Sequence, residues 1–181
     1  MKVHTINIKI KLSKSTISVL VASLLMIFTA IMVKYLSPVD IELVCKDVSP
    51  PLANDINSCS LVDQVQRTLQ ASGYDPVLLE NTKARNGLLR GQFHLQIFEV
   101  TNYKIVGDPN IGIAQFSFIN GRLSSISYYP KTPDSLFKLY PEKISESISV
   151  RHLTNYQGRQ YISWSNVHLE TYVRWRISRF S

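Results

Sequence analysis

Cys45 and Cys59 are the residues of this chain whose type and spacing most directly predict a chemistry. They are the only two cysteines in the sequence, and such a pair favours a disulfide in an oxidising compartment. The bridge would close a loop of fifteen residues, counting both ends, and contribute roughly 3 kcal/mol in the chain-entropy model. The alternative is two reduced, buried thiols. A metal site is not predicted, because no His or third Cys lies near the pair.

The other groups that could do chemistry do not form a recognisable set. Of the four histidines, His4 precedes the apolar run described below, and His94, His152 and His168 each stand alone on a predicted strand. There is no Gly-x-Ser-x-Gly elbow and no phosphate-binding glycine loop, and the acids are scattered. We therefore expect no catalytic residue, no bound metal and no cofactor, and a protein that is not an enzyme.

Aromatic and arginine side chains crowd the second half of the chain. Residues 151–181 contain five arginines and a single acid, Glu170. Because Tyr, Trp and Arg are enriched in protein interfaces, this composition suggests a partner surface, with Tyr172, Arg174, Trp175 and Arg176 as the candidate residues. The alternatives are a solvated strand face for the arginines and a small sheet that fills its core with the aromatics.

An uncharged, mainly apolar run from Ile17 to Val33 follows a lysine-rich start. A bilayer core needs about 20 apolar residues, and Ile17–Leu36 meets that length if Lys34 reaches the interface with its charged end. A secretory signal has a shorter apolar region and a small-x-small cleavage site, which we do not find after this run. We predict a retained signal-anchor; a cleaved signal and a buried core helix are the alternatives.

Charge predicts the orientation of this anchor. Lys2, Lys9, Lys11 and Lys14 precede the run without an acid, which predicts a cytoplasmic N-terminus in an inner (cytoplasmic) membrane and a C-terminal domain outside, in the periplasm. Setting these four lysines and Lys34 aside leaves 15 of the 20 basic residues against 13 acids. The remaining balance of +2, out of +7 for the chain, gives no reason to expect nucleic acid as a partner.

Four segments follow from these patterns. Residues 1–16 are a basic tail, 17–36 the transmembrane anchor, 37–59 a membrane-proximal linker with the disulfide, and 60–181 an extracytoplasmic domain. The expected fold class is α+β: the anchor, then two short helices, then a mainly antiparallel sheet of about five strands.

The two helices are predicted from end signals. In the first, Ser60 and Asp63 suggest a capping box and Gly73 a left-handed stop. In the second, Asp75 is the cap, Pro76 the first helical residue and Gly87 the stop.

The clearest strand signal is the Asn120-Gly121 dipeptide of a type I′ hairpin. It predicts pairing of Ile119 with Arg122, Phe118 with Leu123, Phe116 with Ser125 and Ala114 with Ser127, and a core face with Phe116, Phe118 and Leu123. In the preceding strand, the apolar positions change from odd to even numbers at Phe98 and back at Tyr103, which suggests a bulge near Phe98.

The last third is predicted as a short helix begun by Thr132 and Pro133, then strands over Ile148–Thr154 and Arg159–Trp164. Residues 166–180 fit two patterns. A strand separates the apolar residues of this segment more cleanly than a helix, which would place Arg176 among them, so we predict a strand.

With no family resemblance and no motif, the expected function rests on architecture. The leading hypothesis is an interaction or accessory module that supports or regulates a membrane-bound or periplasmic protein partner. A binding domain for a lipid or other small apolar ligand is the second, and a hydrolytic enzyme without a recognisable motif is the third.

Overall fold

The computed structural model describes residues 14–36, 41–47, 49–84 and 93–180. The chain divides into two compact units, Met1–Ser37 and Pro38–Ser181.

The described part of the first unit is the helix α1, Lys14–Leu36, of 23 residues. Its described large apolar side chains are between 39% (Met32) and 66% (Met26) exposed. The hydroxyl of Ser23 donates to the carbonyl of Val19, and that of Thr29 donates to the carbonyls of Leu25 and Met26, so both hydroxyls are satisfied within the helix. Across the described residues, no helix combines the length and the apolar content of a membrane span.

The second unit is built on one antiparallel sheet of seven strands, in the order β1-β2-β3-β4-β7-β6-β5. The predicted α+β class with an antiparallel sheet is confirmed, with seven strands rather than about five. The strands are β1 Val77–Ala84, β2 Phe93–Tyr103, β3 Gly112–Ile119, β4 Arg122–Tyr129, β5 Lys143–Ile144, β6 Ile148–Thr154 and β7 Gln160–Asn166.

Four helices and a short 3-10 turn belong to this unit. They are α2 Ile41–Asp47, the turn Ala53–Asp55, α3 Val62–Ala71, α4 Pro133–Leu139 and α5 Val167–Phe180. The helices predicted after Ser60 and after Thr132 are thus present as α3 and α4. The start of α3 differs from the predicted box: the backbone N–H of Leu61 donates to Gln64 Oε1 (3.1 Å). Gly73 has the expected positive φ, +82°.

The β3–β4 hairpin turns at Asn120 and Gly121, whose φ angles are 50° and 78°. The pairs Ile119 with Arg122 and Phe118 with Leu123 are as predicted. The outer pairs are shifted, because Ser124 is an extra residue in β4; Phe116 therefore pairs with Ile126 and not with Ser125. The three residues predicted for the core face, Phe116, Phe118 and Leu123, are fully buried.

The parity switches in β2 have two different causes. At Phe98 the pairing of β2 with β3 is continuous; the irregularity near Phe98 lies in the neighbouring strand β1, between Leu78 and Glu80, which pair with Phe98 and Ile97. The switch arises because both faces of β2 carry apolar side chains, one set before Phe98 and the other from it onwards. The return to odd positions is a true irregularity between Val100 and Tyr103, where Asn102 has φ 55°.

The second predicted helix is wrong, because the residues after Pro76 form the edge strand β1. Its pairing with β2 supplies a backbone partner to almost every residue, which outweighs the local cap signals at Asp75 and Pro76. Gly87, the predicted stop, lies outside the described residues.

The predicted strand over 166–180 is also wrong, because this segment is the helix α5. Asn166 caps it: its Oδ1 accepts the N–H groups of His168 (2.9 Å) and Leu169 (3.3 Å). The objection to a helix was the position of Arg176, but its guanidinium lies 4.6 Å from the centre of the Phe93 ring, where its charge interacts favourably with the aromatic face.

The main core lies between one face of the sheet and the segments that cover it, namely α3, α4 and the 3-10 turn region. Val65 and Leu69 of α3 and Leu136 of α4 are buried there against aromatic side chains of the sheet. The predicted linker contributes to this core through Leu52 and Ala53. A second, smaller cluster lies on the opposite face, where α2 and α5 pack against Ile119 of β3.

Candidate functional site: the open face of the sheet

The face of the sheet opposite the main core is covered only in part, and we call it the open face. Its members follow from the register, because residues that pair directly across strands share a face. Among them are Leu95, Ile97 and Glu99 of β2; Ile113, Gln115, Ser117 and Ile119 of β3; Ser125, Ser127 and Tyr129 of β4; Tyr161, Ser163 and Ser165 of β7; and Ser149, Arg151 and Leu153 of β6.

A band of serines crosses the middle of this face. Ser117 pairs with Ser125, which pairs with Ser165, and Ser127 pairs with Ser163. On the same strands, the buried face carries Phe, Ile, Tyr and Trp side chains. Because serine side chains are small, they leave space above the sheet, and the open face is therefore recessed along this band of serines.

The helix α5 covers only one end of this floor. Leu169 and Tyr172 are buried against Ile119, and Tyr172 stacks on Phe93 with ring centres 6.4 Å apart. Beside α5 lies a depression of about 420 Å³, which we call the helix hollow. It is lined by Leu95, Ile97, Ser117, Ile119, Ser124, Ser125, Arg151, Ser163, Ser165, Glu170, Val173 and Arg174.

Three charged residues meet at the helix hollow. Glu170 of α5 accepts from Arg151 of β6 (3.1 Å) and lies 3.5 Å from Arg174, one turn along its own helix. Its other carboxylate oxygen accepts a hydrogen bond from the hydroxyl of Ser165. The side chains of Arg151 and Glu170 are 33% and 26% exposed, whereas that of Arg174 is 70% exposed. The trio carries a net charge of +1.

A second depression, the hairpin hollow, lies at the other end of the open face and has a volume of about 380 Å³. Tyr129 forms its wall: its ring stacks on Tyr161 (4.8 Å between centres), and the guanidinium of Arg159 lies 5.1 Å from the centre of the Tyr129 ring. Burial and the neighbouring Tyr161 raise the pKa of Tyr129, while Arg159 opposes the shift. Tyr156, at the β6–β7 turn, is 94% exposed.

Polar groups complete the hairpin hollow. Gln115 donates from Nε2 to Glu99 (3.0 Å), and the hydroxyl of Tyr129 donates to Gln115 Oε1 (3.4 Å). Aromatic rings, an arginine and fixed amide and carboxylate groups are suited to binding a polar chain. Gln115 of the hairpin hollow pairs with Ser127, which pairs with Ser163 of the helix hollow. The serine band therefore joins the two hollows.

The predicted disulfide is confirmed: Cys45 of α2 is bonded to Cys59, with Cα atoms 5.4 Å apart. Cys59 is 5% exposed and belongs to the cluster of Ile41, Leu169 and Tyr172. The bridge therefore fastens α2 to the sheet next to α5.

The four candidate partner-binding residues separate in the structure. Tyr172 is 1% exposed, and Trp175 stacks on it (5.9 Å between ring centres) within the second cluster. Arg176 lies over Phe93. Only Arg174 lines a hollow. Sequence reasoning missed Arg151, Glu170 and the serine band, although the alternation of Ser125 with Ser127 and of Ser163 with Ser165 was a visible signal.

His94, His152 and His168, the histidines that the structure describes, do not line either hollow. His94 Nε2 is 2.6 Å from Asn81 Oδ1, and burial and Lys83 lower the pKa of His94. His152 Nε2 is 2.7 Å from the carbonyl oxygen of Tyr140, and its ring stacks on Phe137. Within the described ranges, His, Cys, Asp and Glu side chains form no group of three that could hold a metal ion.

Comparison with protein-family models, with curated proteins and with solved structures finds no match to this chain.

Proposed function

We propose that this protein is a membrane-anchored, extracytoplasmic interaction module that binds an exposed segment of a membrane-bound partner protein across the open face of its sheet. The observation that supports this most strongly is the open face itself: the helices α3 and α4 and the 3-10 turn pack on one face of the sheet, whereas much of the other face is uncovered and carries two joined hollows. Such a face, like other concave surfaces with a few convergent polar groups, is suited to binding.

Anchoring through α1 is supported by the character of this helix. Its 23 residues extend over roughly 35 Å at 1.5 Å per residue, and its described apolar side chains are exposed around the helix. The span that we propose, residues 17–36, continues beyond the described side chains, which end at Met32. The lysines before residue 15 place the N-terminus inside in this proposal, and the disulfide supports an oxidising compartment for the domain.

The partner segment in this proposal is extended and acidic. Arg151, Arg159 and Arg174 line the two hollows against Glu99 and Glu170, a balance of three positive and two negative charges, so the open face attracts negative charge. Arg159 and Tyr156 at the hairpin hollow have the residue types of interface hot spots, and Tyr156 is almost fully exposed.

A photo-crosslinking residue at Ser127, between the two hollows, tests the binding face in intact membranes. The matched control places the same residue at Gln70, which is exposed on α3 over the opposite face. We expect a product from position 127 alone, whose crosslinked peptide is acidic and extracytoplasmic, and which is lost when Arg159→Glu is added. Equal products from both positions, or none from position 127, would contradict the proposal.

The anchor is tested separately. A reporter that is active only outside the cytoplasm, fused after Ser181, should be active and remain with the membrane after carbonate washing. Release of the fusion into the soluble fraction would mean that the apolar segment is cleaved.

A second candidate function, the binding of a small ligand, is supported by the helix hollow. Its volume of about 420 Å³ lies within the range of ligand pockets, roughly 300–1,000 Å³. Direct measurement of small-ligand binding to the full-length protein tests this candidate. Replacement of Ser163 with Leu, whose larger side chain would fill part of the helix hollow, should abolish that binding.

A further inference from the structure

We infer that the helix hollow selects an amphipathic mono-anion, an aliphatic carboxylate, whose head binds Arg151 and Arg174 and whose chain lies on the apolar wall. This inference rests on the second candidate function and supplies the chemical class of its ligand. It depends on the charge of the residues that line the helix hollow, on the separation of polar from apolar lining residues, and on the volume of the hollow.

The charge balance favours an anion. Two guanidinium groups share one carboxylate, and both reach the same oxygen, Oε2 of Glu170, through Nη2. A guanidinium has five N–H donors, so a single contact leaves most of its donor capacity for a ligand. Because the hydroxyl of Ser165 donates to the other oxygen of Glu170, both oxygens of this carboxylate already accept hydrogen bonds within the protein. A bound cation would instead face the two positive groups.

The lining is divided into a polar and an apolar side. Arg151 pairs with Ser163 across β6 and β7, which brings a guanidinium and a hydroxyl together on the floor. Leu95, Ile97 and Ile119, from β2 and β3, supply aliphatic surface on the same face. A ligand with one charged end and one aliphatic end can satisfy both sides, whereas a wholly apolar ligand would cover guanidinium N–H groups that Glu170 does not engage and would offer them no acceptor.

Size limits the chain. A volume of about 420 Å³ corresponds to about fourteen waters at ~30 Å³ each, so the hollow accommodates a ligand on the order of ten heavy atoms. Octanoate is therefore a suitable probe, with octanol and octylammonium as neutral and cationic analogues of the same length.

The experiment measures binding of these three probes to full-length protein in nanodiscs by calorimetry, with empty nanodiscs subtracted. We expect octanoate to bind at least tenfold more tightly than either analogue, because a charge-assisted hydrogen bond strengthens its interaction alone. Arg174→Gln, at a largely exposed position, should reduce octanoate affinity about tenfold and leave octanol binding unchanged. The matched control, Arg67→Gln on the exposed side of α3, should alter neither.

Each other outcome is informative. Equal binding of octanoate and octanol, abolished by Ser163→Leu, would overturn the selection of an anion and leave the small-ligand function standing. Binding of none of the three probes would overturn both. Octanoate binding that persists unchanged in Arg174→Gln and Arg151→Gln variants, each with its melting temperature preserved, would remove the arginines from the site.

Discussion

Loss of the disulfide between Cys45 and Cys59 is predicted to loosen α2 before it unfolds the sheet. The bridge spans a sequence separation of 14 residues, and a loop of this length contributes roughly 3 kcal/mol in the chain-entropy model. We therefore expect the Cys45→Ser, Cys59→Ser double variant to be less stable than the native protein by up to about 3 kcal/mol.

The structure shows what would remain to hold α2. Ile41 is 5% exposed in the second cluster, and its burial contributes about 1.5–3 kcal/mol. The ion pair between Glu42 and Arg122 (2.5 Å) is exposed on the glutamate side, 66%, so it adds at most about 1 kcal/mol. Without the bridge these contacts must order a seven-residue helix, which is too short to be stable alone. Partial detachment of α2 follows.

Limited proteolysis and far-UV circular dichroism, applied to the same samples, test this prediction. The variant should keep its β-rich spectrum and be cleaved between the anchor and Leu61 under conditions in which the native protein is intact. Glu42→Gln is the matched control, because it removes the ion pair and keeps the bridge, and it should remain resistant. Readily alkylated thiols in the native protein, or unchanged protease resistance in the double variant, would refute the reasoning.

Two further predictions concern the sheet. Gly112→Ala should destabilise the domain more than Gly158→Ala in thermal melts, because a Cβ at 112 would lie 2.5 Å from the backbone oxygen of Tyr129, whereas a Cβ at 158 meets nothing within 4 Å and costs only backbone strain; equal melting temperatures would contradict this. Burial raises the pKa of Tyr103 to about 12, so its share of stability is present below its ordinary pKa of 10.0 and is lost as the pH rises towards 12. Tyr103→Phe should therefore flatten the alkaline fall in stability by up to about 3 kcal/mol, and Tyr156→Phe, at an exposed position, should not.

The elements predicted correctly from the sequence are those whose conformation depends on a few neighbouring residues. The Asn120-Gly121 turn requires positive φ at both residues, and Thr132-Pro133 starts a helix, so both were readable from a few residues. The disulfide was predictable because the chain has only two cysteines, which allow one pairing.

The elements that were missed depend on distant partners. Val77–Ala84 becomes a strand because β2 offers its backbone as an edge, which no residue within β1 indicates. Similarly, α5 is a helix because its Leu169 and Tyr172 pack on Ile119, 50 or more residues earlier in the chain. The bulge at Ser124 also depends on tertiary context, since it lets Leu123 and Ile126 face the same core.

The helical conformation of Val167–Phe180 determines the geometry of the site. A strand there would have extended the sheet and placed Arg174 and Arg176 together on one surface. As a helix, the segment returns over the open face and buries Tyr172. It also brings Glu170 to 3.1 Å from Arg151 of β6, while Arg174 lies 3.5 Å from Glu170 along the same helix. Because α5 covers only the end of the sheet beyond the serine band, it forms the wall of the helix hollow without filling it. The same helix thus packs in the second cluster on one side and, in our proposal, supplies one of the two arginines that bind the ligand, Arg174, on the other.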